Sequence, residues 1–359
     1  MSNTNTSIGQ YMALALQPVM VGAKEKADIG RNLEHITELA FAAKNVTEIE
    51  LPVRLYAIPE GALQGFTDEI FDWDHIDMVQ RLAIEVPGEE TRYLGDLARS
   101  LDAFIIAQAK VIHPEFAERF FNCAFVVNPQ GEVIHKHYKL QVFAREHSTV
   151  PHDVWDKWVE LYGEGLDAFF PVTDTDIGRI GCLICMEGSF PETARGLAMN
   201  GAELIYRPSY PEPYVGNGLW EVQNRARALD NTVYMVSPNP AAYAVSADSR
   251  FPLDMFGGES MIVNYQGQII GKHQSGGAAS YAGAIINIDA LREYRQQTLW
   301  GNWLKDLRTE QYRPIYAEPQ YEKNRCIEQP PLKHAENDKV VRAAVERMFE
   351  RGVYKRPAK

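Results

Sequence analysis

Cys185 lies in the run Gly178-Arg-Ile-Gly-Cys-Leu-Ile-Cys-Met-Glu-Gly-Ser-Phe-Pro-Glu192, where a thiol has the surroundings of a nucleophile. Ile180, Cys182 and Ile184 alternate with Gly181, Leu183 and Cys185, which is a strand period. The spacing predicts a strand ending at Cys185 and a helix soon after it. Ser189 and Glu192 have capping-box spacing, Pro191 suits a first turn, and Gly201 stops the helix. A thiol at a strand tip beside a helix N-terminus is presented to a substrate, and its thiolate is favoured. Cys182-Leu-Ile-Cys185 is also formally a Cys-x-x-Cys pair. Redox pairs of that kind usually open a helix, with polar residues or Pro between the thiols. A buried structural thiol is the third reading. Leu and Ile inside a strand favour a catalytic Cys185, with Cys182 as core packing.

A catalytic thiol needs a base, and a tetrahedral intermediate needs a cation or N–H donors. None of the nine histidines sits in a recognisable Cys-His context. His135 and His137 lie two apart on a strand face and could share a metal, but no third ligand is obvious and an ordinary strand face is the expectation. Gly258-Glu-Ser260 lacks the last glycine of a nucleophile elbow. Gly163-Glu-Gly165-Leu-Asp-Ala168 mimics a dinucleotide loop but leads into an apparent strand, not a helix. Carboxylate and lysine candidates fit better. Glu60 ends one strand, in Ala-Ile-Pro-Glu-Gly, and Lys139 ends another, in Lys-His-Tyr-Lys-Leu. If these strands and that of Cys185 are neighbours, all three side chains meet at one sheet edge, where α/β sites are commonly built.

The elements that would place them fall into two similar series. Residues 12–20 read as a strand, 32–44 as a helix, 54–58 as a strand, 89–102 as a helix and 103–109 as a strand. A hairpin follows, 123–127 with 132–138, turning at Asn128-Pro-Gln-Gly131. The second series begins with the Cys185 strand. It continues through a helix at 191–200, a strand at 203–207, a helix at 219–230 and a strand at 232–237. Its hairpin, 260–263 with 268–272, turns at Asn264-Tyr-Gln-Gly267. One element used twice implies an internal pseudo-two-fold of two α/β layers, with no visible boundary between two domains.

The chain has 359 residues, 45% hydrophobic, enough for one large α/β core. Its formal charge of −12 argues against a nucleic-acid footprint. Four cysteines in so long a chain do not make a disulfide scaffold, so a reducing cytoplasm is expected. The polar N-terminus and the apolar stretch 11–23, broken by Gln17 and Pro18, give neither a signal peptide nor a membrane span. Residues 308–335 are rich in Pro, Tyr and charge without periodicity, and 338–351 read as an amphipathic helix carrying Val341, Ala344, Val345, Met348 and Phe349 on one stripe. We therefore divide the chain into a domain at 1–307 and an extension at 308–359. The extension packs either on a neighbouring subunit, as an oligomerisation arm, or around its own domain.

Three motifs in order resemble the nitrilase superfamily, the carbon–nitrogen hydrolases. Pro59-Glu60 with Gly65-Phe66 is similar to the family's glutamate motif, Lys136-His-Tyr-Lys139 to its lysine motif, and Ile184-Cys185-Met-Glu-Gly-Ser-Phe-Pro-Glu192 to its nucleophile motif. Within the superfamily, the aliphatic amidase and formamidase branch is most similar. The nucleophile motif, the segment Asn200-Gly-Ala-Glu-Leu-Ile-Tyr-Arg207 and Gly258-Glu-Ser-Met-Ile-Val-Asn264 carry that likeness.

The resemblance implies a four-layer α-β-β-α sandwich, no cofactor, no metal, and assembly into a homo-oligomer. It implies that Glu60 is the general base and Cys185 the nucleophile. Lys139 and the N–H after Cys185 would stabilise the oxyanion of a small amide, or of a nitrile or N-carbamoyl compound in the rival reading. A second glutamate is implied between the lysine and the cysteine. Glu160, five residues before Gly165, is the choice, with Glu146 and Glu164 as rivals. Met186, Glu187, Arg207 and Tyr210 are the candidate substrate-binding residues. Met186, where nitrilases commonly carry Trp, favours an amidase. Burial is expected to raise Glu60 towards neutrality.

Overall fold

The computed structural model describes residues 7–49, 51–209, 217–253 and 256–358. The first series opens with β1 (Tyr11–Gln17), a short β2 (Val19–Val21) and α1 (Ile29–Thr47). Pro18, which has no N–H to donate, separates β1 from β2. β3 (Val53–Ala57) leads through α2 (Thr67–Ile70), α3 (His75–Arg81) and α4 (Glu89–Leu101) to β4 (Phe104–His113), β5 (Phe116–Val127) and β6 (Val133–Tyr138). α5 (Trp155–Tyr162) and α6 (Leu166–Phe169) connect the halves. The second series comprises β7 (Val172–Thr175), β8 (Gly178–Cys182), α7 (Pro191–Met199), β9 (Leu204–Tyr206), α8 (Leu219–Asn231) and β10 (Tyr234–Ser237). β11 (Ala242–Ala244), β12 (Met261–Val263), β13 (Ile269–Lys272), β14 (Ser280–Ile286) and α9 (Ile288–Arg295) follow, then α10 (Thr309–Tyr312) and α11 (His334–Glu350).

Two six-stranded sheets result, ordered β14-β1-β3-β4-β5-β6 and β13-β12-β10-β9-β8-β7. In each, three parallel strands reached through helical crossovers are followed by two antiparallel ones. Each sheet also has an antiparallel edge partner on its first strand, β14 on β1 and β7 on β8. The pseudo-two-fold extends to atoms in the hairpin turns. Asn128 Oδ1 accepts from the backbone of Gln130 and Glu132, and Asn264 Oδ1 from Gln266 and Gln268. Gly131 and Gly267 both close their turns at φ near +80°, +81° and +74°, a region open to glycine without steric cost.

Three apolar layers hold the four structural ones together. One, including Leu33, Ile36, Leu94 and Leu97, packs α1 and α4 on the outer face of the first sheet. A second lies between the sheets, with Ile106, Val126, Ile180, Cys182, Ile184 and Val236. The third packs α7 and α8 on the other sheet through Leu197, Trp220 and Ala228. Each large aliphatic or aromatic side chain fully buried here contributes about 1.5–3 kcal/mol. The expected α-β-β-α sandwich is observed. No described helix is long and apolar enough to cross a membrane.

Two local expectations are corrected. β8 stops at Cys182, although its backbone stays in the ladder: Leu183 N donates to Tyr206 O and Cys185 N to Pro208 O. The capping box at Ser189 and Glu192 does not form. Phe190 is the N-cap, Ser189 Oγ instead accepts from Gln223 Nε2, and Glu192 accepts from Tyr316.

The C-terminal extension lies along its own chain in this structure. Cys326 O accepts from Arg119 Nε at 3.1 Å, and Asn324 N donates to His152 O at 3.0 Å. α11 sits beside residues 144–145: Asn337 Nδ2 donates to Ala144 O at 2.8 Å, and Asp338 pairs with Arg145 at 3.1 Å.

Candidate active site

Glu60 follows β3 on the bend Ile58-Pro59, where Ile58 N still donates to Ile106 O. Lys139 follows β6, its backbone N donating to Asn122 O on β5. These strand ends bring Lys139 Nζ to 2.9 Å from Glu60 Oε1. The same Nζ lies 2.6 Å from Glu146 Oε2. Glu146 stands in the irregular segment after β6, which Thr149 anchors by donating its N–H to Phe120 O. The three charged side chains are almost wholly buried, at 2%, 1% and 7% exposure. Buried charges of this kind survive only when paired and hydrogen-bonded.

Asn122 provides much of that bonding. Its Nδ2 donates to Glu60 Oε1 at 2.8 Å and to Glu146 Oε1 at 2.9 Å. Gln108 on β4 orients Asn122, donating to its Oδ1 at 2.7 Å while accepting from Gly61 N at 2.8 Å. A second buried cluster adjoins this one, in which Lys110 Nζ meets Asp68 at 2.5 Å and Glu69 at 2.7 Å.

Burial raises the pKa of Glu60, partly offset by Lys139 and reinforced by Glu146. Its Oε1 is committed to Lys139 and Asn122, whereas buried Oε2 has no hydrogen-bond partner. Burial alone would lower Lys139, but Glu146, Glu60 and Cys185 together hold it well above the ordinary lysine value. For Glu146 burial is overruled by Lys139 and Lys110, and its pKa is lowered. One carboxylate is thus pushed towards protonation and its neighbour away from it, the environment-driven split that separates acid–base roles.

Cys185 is 7% exposed and opens a 3-10 turn, Cys185–Ser189. Its φ is +50°, a left-handed conformation that costs a non-glycine residue roughly 1–3 kcal/mol and persists only where the surroundings impose it. They do so here. Besides the bond from Cys185 N, the Cys185 carbonyl accepts from Arg207 Nε and Nη2 at 3.3 and 3.2 Å. Ser209 Oγ lies 3.8 Å from the sulfur. A Cβ on Gly188 would fall 2.1 Å from Arg207 Nε, so only glycine lets the guanidinium reach that carbonyl. The thiol is thus turned out of the strand at the first N–H groups of a helical turn, which lack intrahelical acceptors. Cys182 is fully buried between the sheets, and burial holds its thiol well above the usual range. Neither cysteine is in a disulfide, and the redox-pair reading gains no support.

Several sequence-based assignments change. Glu160 is exposed on α5, and Glu164 is exposed beyond it; the carboxylate that meets Lys139 is Glu146. Glu187 gives its oxygens to protein donors. It is fully buried and its oxygens accept from His137 Nε2 at 3.0 Å, Leu140 N at 2.9 Å and Ile184 N at 2.6 Å. It therefore ties the residue after Lys139 to the residue before Cys185, across the two sheets. Arg207 is also fully buried, stacked 4.6 Å from the Trp220 ring and bonded to Asn224 and Gln223. It holds the Cys185 turn by that turn's carbonyl. Met186 is half-buried against the inter-sheet core. Tyr210 lies outside the described residues. His137 Nε2 meets Glu187 and His135 Nδ1 meets Thr173. Asn122 and Gln108 were not among the sequence candidates. The signal for them was a polar residue in the middle of an otherwise apolar strand.

The model of the carbon–nitrogen hydrolase family matches residues 15–296, most of the chain. The chain belongs to the carbon–nitrogen hydrolases. Family relatives include the omega-amidase NIT2-B of Xenopus laevis, 30% identical over 60% of this chain and 72% of the relative. The formamidase of Bacillus cereus (strain Q1) is 27% identical over 72% of this chain and 69% of the relative. The carbon–nitrogen hydrolase structure from Helicobacter pylori G27 shares the fold, with a TM-score of 0.66 and 18% identity over 87% of this chain and 99% of that one. An amidase of Nesterenkonia sp. AN1, solved with the acetamide moiety of fluoroacetamide added covalently at its active-site cysteine, has a TM-score of 0.59 and 19% identity over 86% and 97%. As a member of this family the chain is a carbon–nitrogen hydrolase with amidase relatives.

Proposed function

We propose that this hydrolase cleaves a small amide through a thioester on Cys185. The observation that carries the reading is the buried Glu60–Lys139–Glu146 cluster, coupled to a cysteine held on a left-handed turn. Glu60 Oε2 takes the thiol proton as sulfur attacks the carbonyl carbon. The resulting oxyanion is stabilised by the Lys139 ammonium and the Met186 N–H. The intermediate collapses, the C–N bond breaks, and Glu60 returns the proton to the departing nitrogen. Water then attacks the thioester, giving a proton to Glu60, and the acid leaves as sulfur recovers it. Glu146 keeps Lys139 charged and in place; Glu187, Arg207 and Asn122 position the groups that react.

Amide cleavage is favoured over nitrile hydrolysis because the named relatives are amidases and a formamidase. Ammonia release from short-chain amides, N-carbamoyl compounds and nitriles decides between them. Turnover of amides above the other classes is expected; turnover of nitriles alone would overturn the reading.

A further inference from the structure

We propose that Asp72, His147 and His334 form a binding site for one zinc-type divalent cation, which fastens α11 to the segment carrying Glu146. These residues are remote in sequence, yet one potential ligand atom from each lies within 4.8 Å of the others. Asp72 Oδ1 is 3.2 Å from His147 Nε2 and 3.7 Å from His334 Nε2. Bonds of about 2.0–2.1 Å in a tetrahedron place ligand atoms roughly 3.3 Å apart, so small side-chain shifts suffice. Two imidazoles and one carboxylate are a common zinc donor set, with water completing the fourth position.

His147 is the second, independent observation. It is 1% exposed, and neither ring nitrogen has a hydrogen-bond partner, although Nε2 faces the Asp72 carboxylate. A buried imidazole whose neighbouring carboxylate lies outside good hydrogen-bond geometry is costly unless a ligand completes it. The backbone of both histidines is held in place. His75 Nδ1 donates to His147 O at 2.8 Å, and its Nε2 accepts from Phe120 N at 3.1 Å. Asp72 Oδ1 accepts from the backbone N of His334 at 3.1 Å, and Asp72 holds φ at +51°. His334 Nε2 now lies 2.9 Å from Arg145 O. Metal binding exchanges that bond, moving the ring proton to Nδ1.

The consequence reaches the active site, because His147 adjoins Glu146 and His334 opens α11. The test uses the full chain, freed of metal with chelator, in a Cys185→Ala background so that the thiol does not compete. Titration with Co2+ is expected to give a visible d–d absorption band saturating at one equivalent, displaced by Zn2+, and Zn2+ should raise Tm. His147 is too buried for a safe variant, so His334→Ala and Asp72→Asn carry the test. Each should weaken Co2+ binding by more than the roughly 10- to 100-fold that losing a supporting hydrogen bond costs. No saturable band, or a band unchanged in both variants, would overturn the proposal.

Discussion

The two halves of the molecule are built alike and supply opposite things. After β3 the chain bends at Ile58-Pro59 and delivers Glu60; after β9 it bends at Arg207-Pro208 and delivers Ser209, with the backbone N of Ile58 and of Arg207 donating to the equivalent strand in each sheet. The first half contributes the buried charged cluster, Glu60, Lys139 and Glu146, and the second contributes Cys185, the proposed nucleophile. Each half also sets a lysine between two glutamates. Lys139 is buried with Glu60 and Glu146, whereas Lys272, near the end of its own hairpin, meets Glu221 at 3.1 Å and Glu259 at 3.3 Å, with its side chain 20% exposed. Water screens the second trio and not the first. The same residue types therefore make a partly exposed ion-pair trio in one half and a buried, strongly perturbed one in the other. Glu187 links the two contributions by bonding to both.

The largest effect expected is at Cys185. Cys185→Ala should lower kcat/KM by at least about 10⁴-fold with Tm nearly unchanged, since a small side chain there leaves the turn's backbone bonds intact. Residual turnover near wild type would show that the second half does not supply the nucleophile.

The paired lysines give the sharpest contrast. Lys139→Ala removes the shared partner of two buried carboxylates and should destabilise by about 3–5 kcal/mol while losing activity. Lys272→Ala should cost about 0–1 kcal/mol and leave turnover intact. Denaturant unfolding of both variants checks this; equal losses would erase the distinction drawn from burial.

A smaller contrast separates the two candidate glutamates. Glu146→Gln should lower kcat by about 10²-fold or more, by weakening the charge on Lys139 that stabilises the oxyanion. Glu160→Gln, on an exposed helix face, should stay within about 0.5 kcal/mol of wild type in stability and retain its rate.

The pH response follows from Glu60. Its base form is lost as pH falls through a pKa raised by burial, so the acid limb of kcat/KM should lie above the ordinary carboxylate value of about 4.3. The sign for stability is the reverse. A carboxyl with a raised folded-state pKa binds more protons folded than unfolded, so its contribution is complete at low pH and lost as pH rises through that pKa. Glu60→Gln should therefore abolish turnover while raising Tm slightly at neutral pH; a clear drop in Tm would show that the ionised Glu60 stabilises the cluster.

Much of this arrangement was legible in the sequence because it sits at strand ends. Strand periodicity followed by Pro59-Glu60, by Lys139-Leu140 and by Cys185-Met186 marks three strand ends; the expectation that they share one sheet edge is corrected, because Glu60 and Lys139 follow β3 and β6 of one sheet and Cys185 follows β8 of the other. The hairpin repeat Asn-x-x-Gly disclosed the internal symmetry. Glu146 was harder to assign, because its place is set by tertiary closure: the contact of Thr149 with Phe120 brings an irregular segment back onto β5. Spacing from Gly165 pointed to Glu160, but α5 buries Trp158 and leaves Glu160 in solvent. The long hairpin of β4 and β5 was read too short for a related reason. Lys110 and Asn122, which face each other in its ladder, interrupt the apolar pattern because they serve the buried charges. The departures from pattern mark the buried charged cluster.

The most direct test of the account is to trap the intermediate. Full-length Glu146→Gln, mixed with short-chain amides and quenched in acid within seconds, would be analysed by intact-mass and peptide mass spectrometry. The account predicts an acyl adduct on the Cys185 peptide, with a mass that follows the acyl group of each amide and no adduct in Cys185→Ala. Steady amide turnover with Cys185 unmodified, or an adduct on another residue, would contradict it.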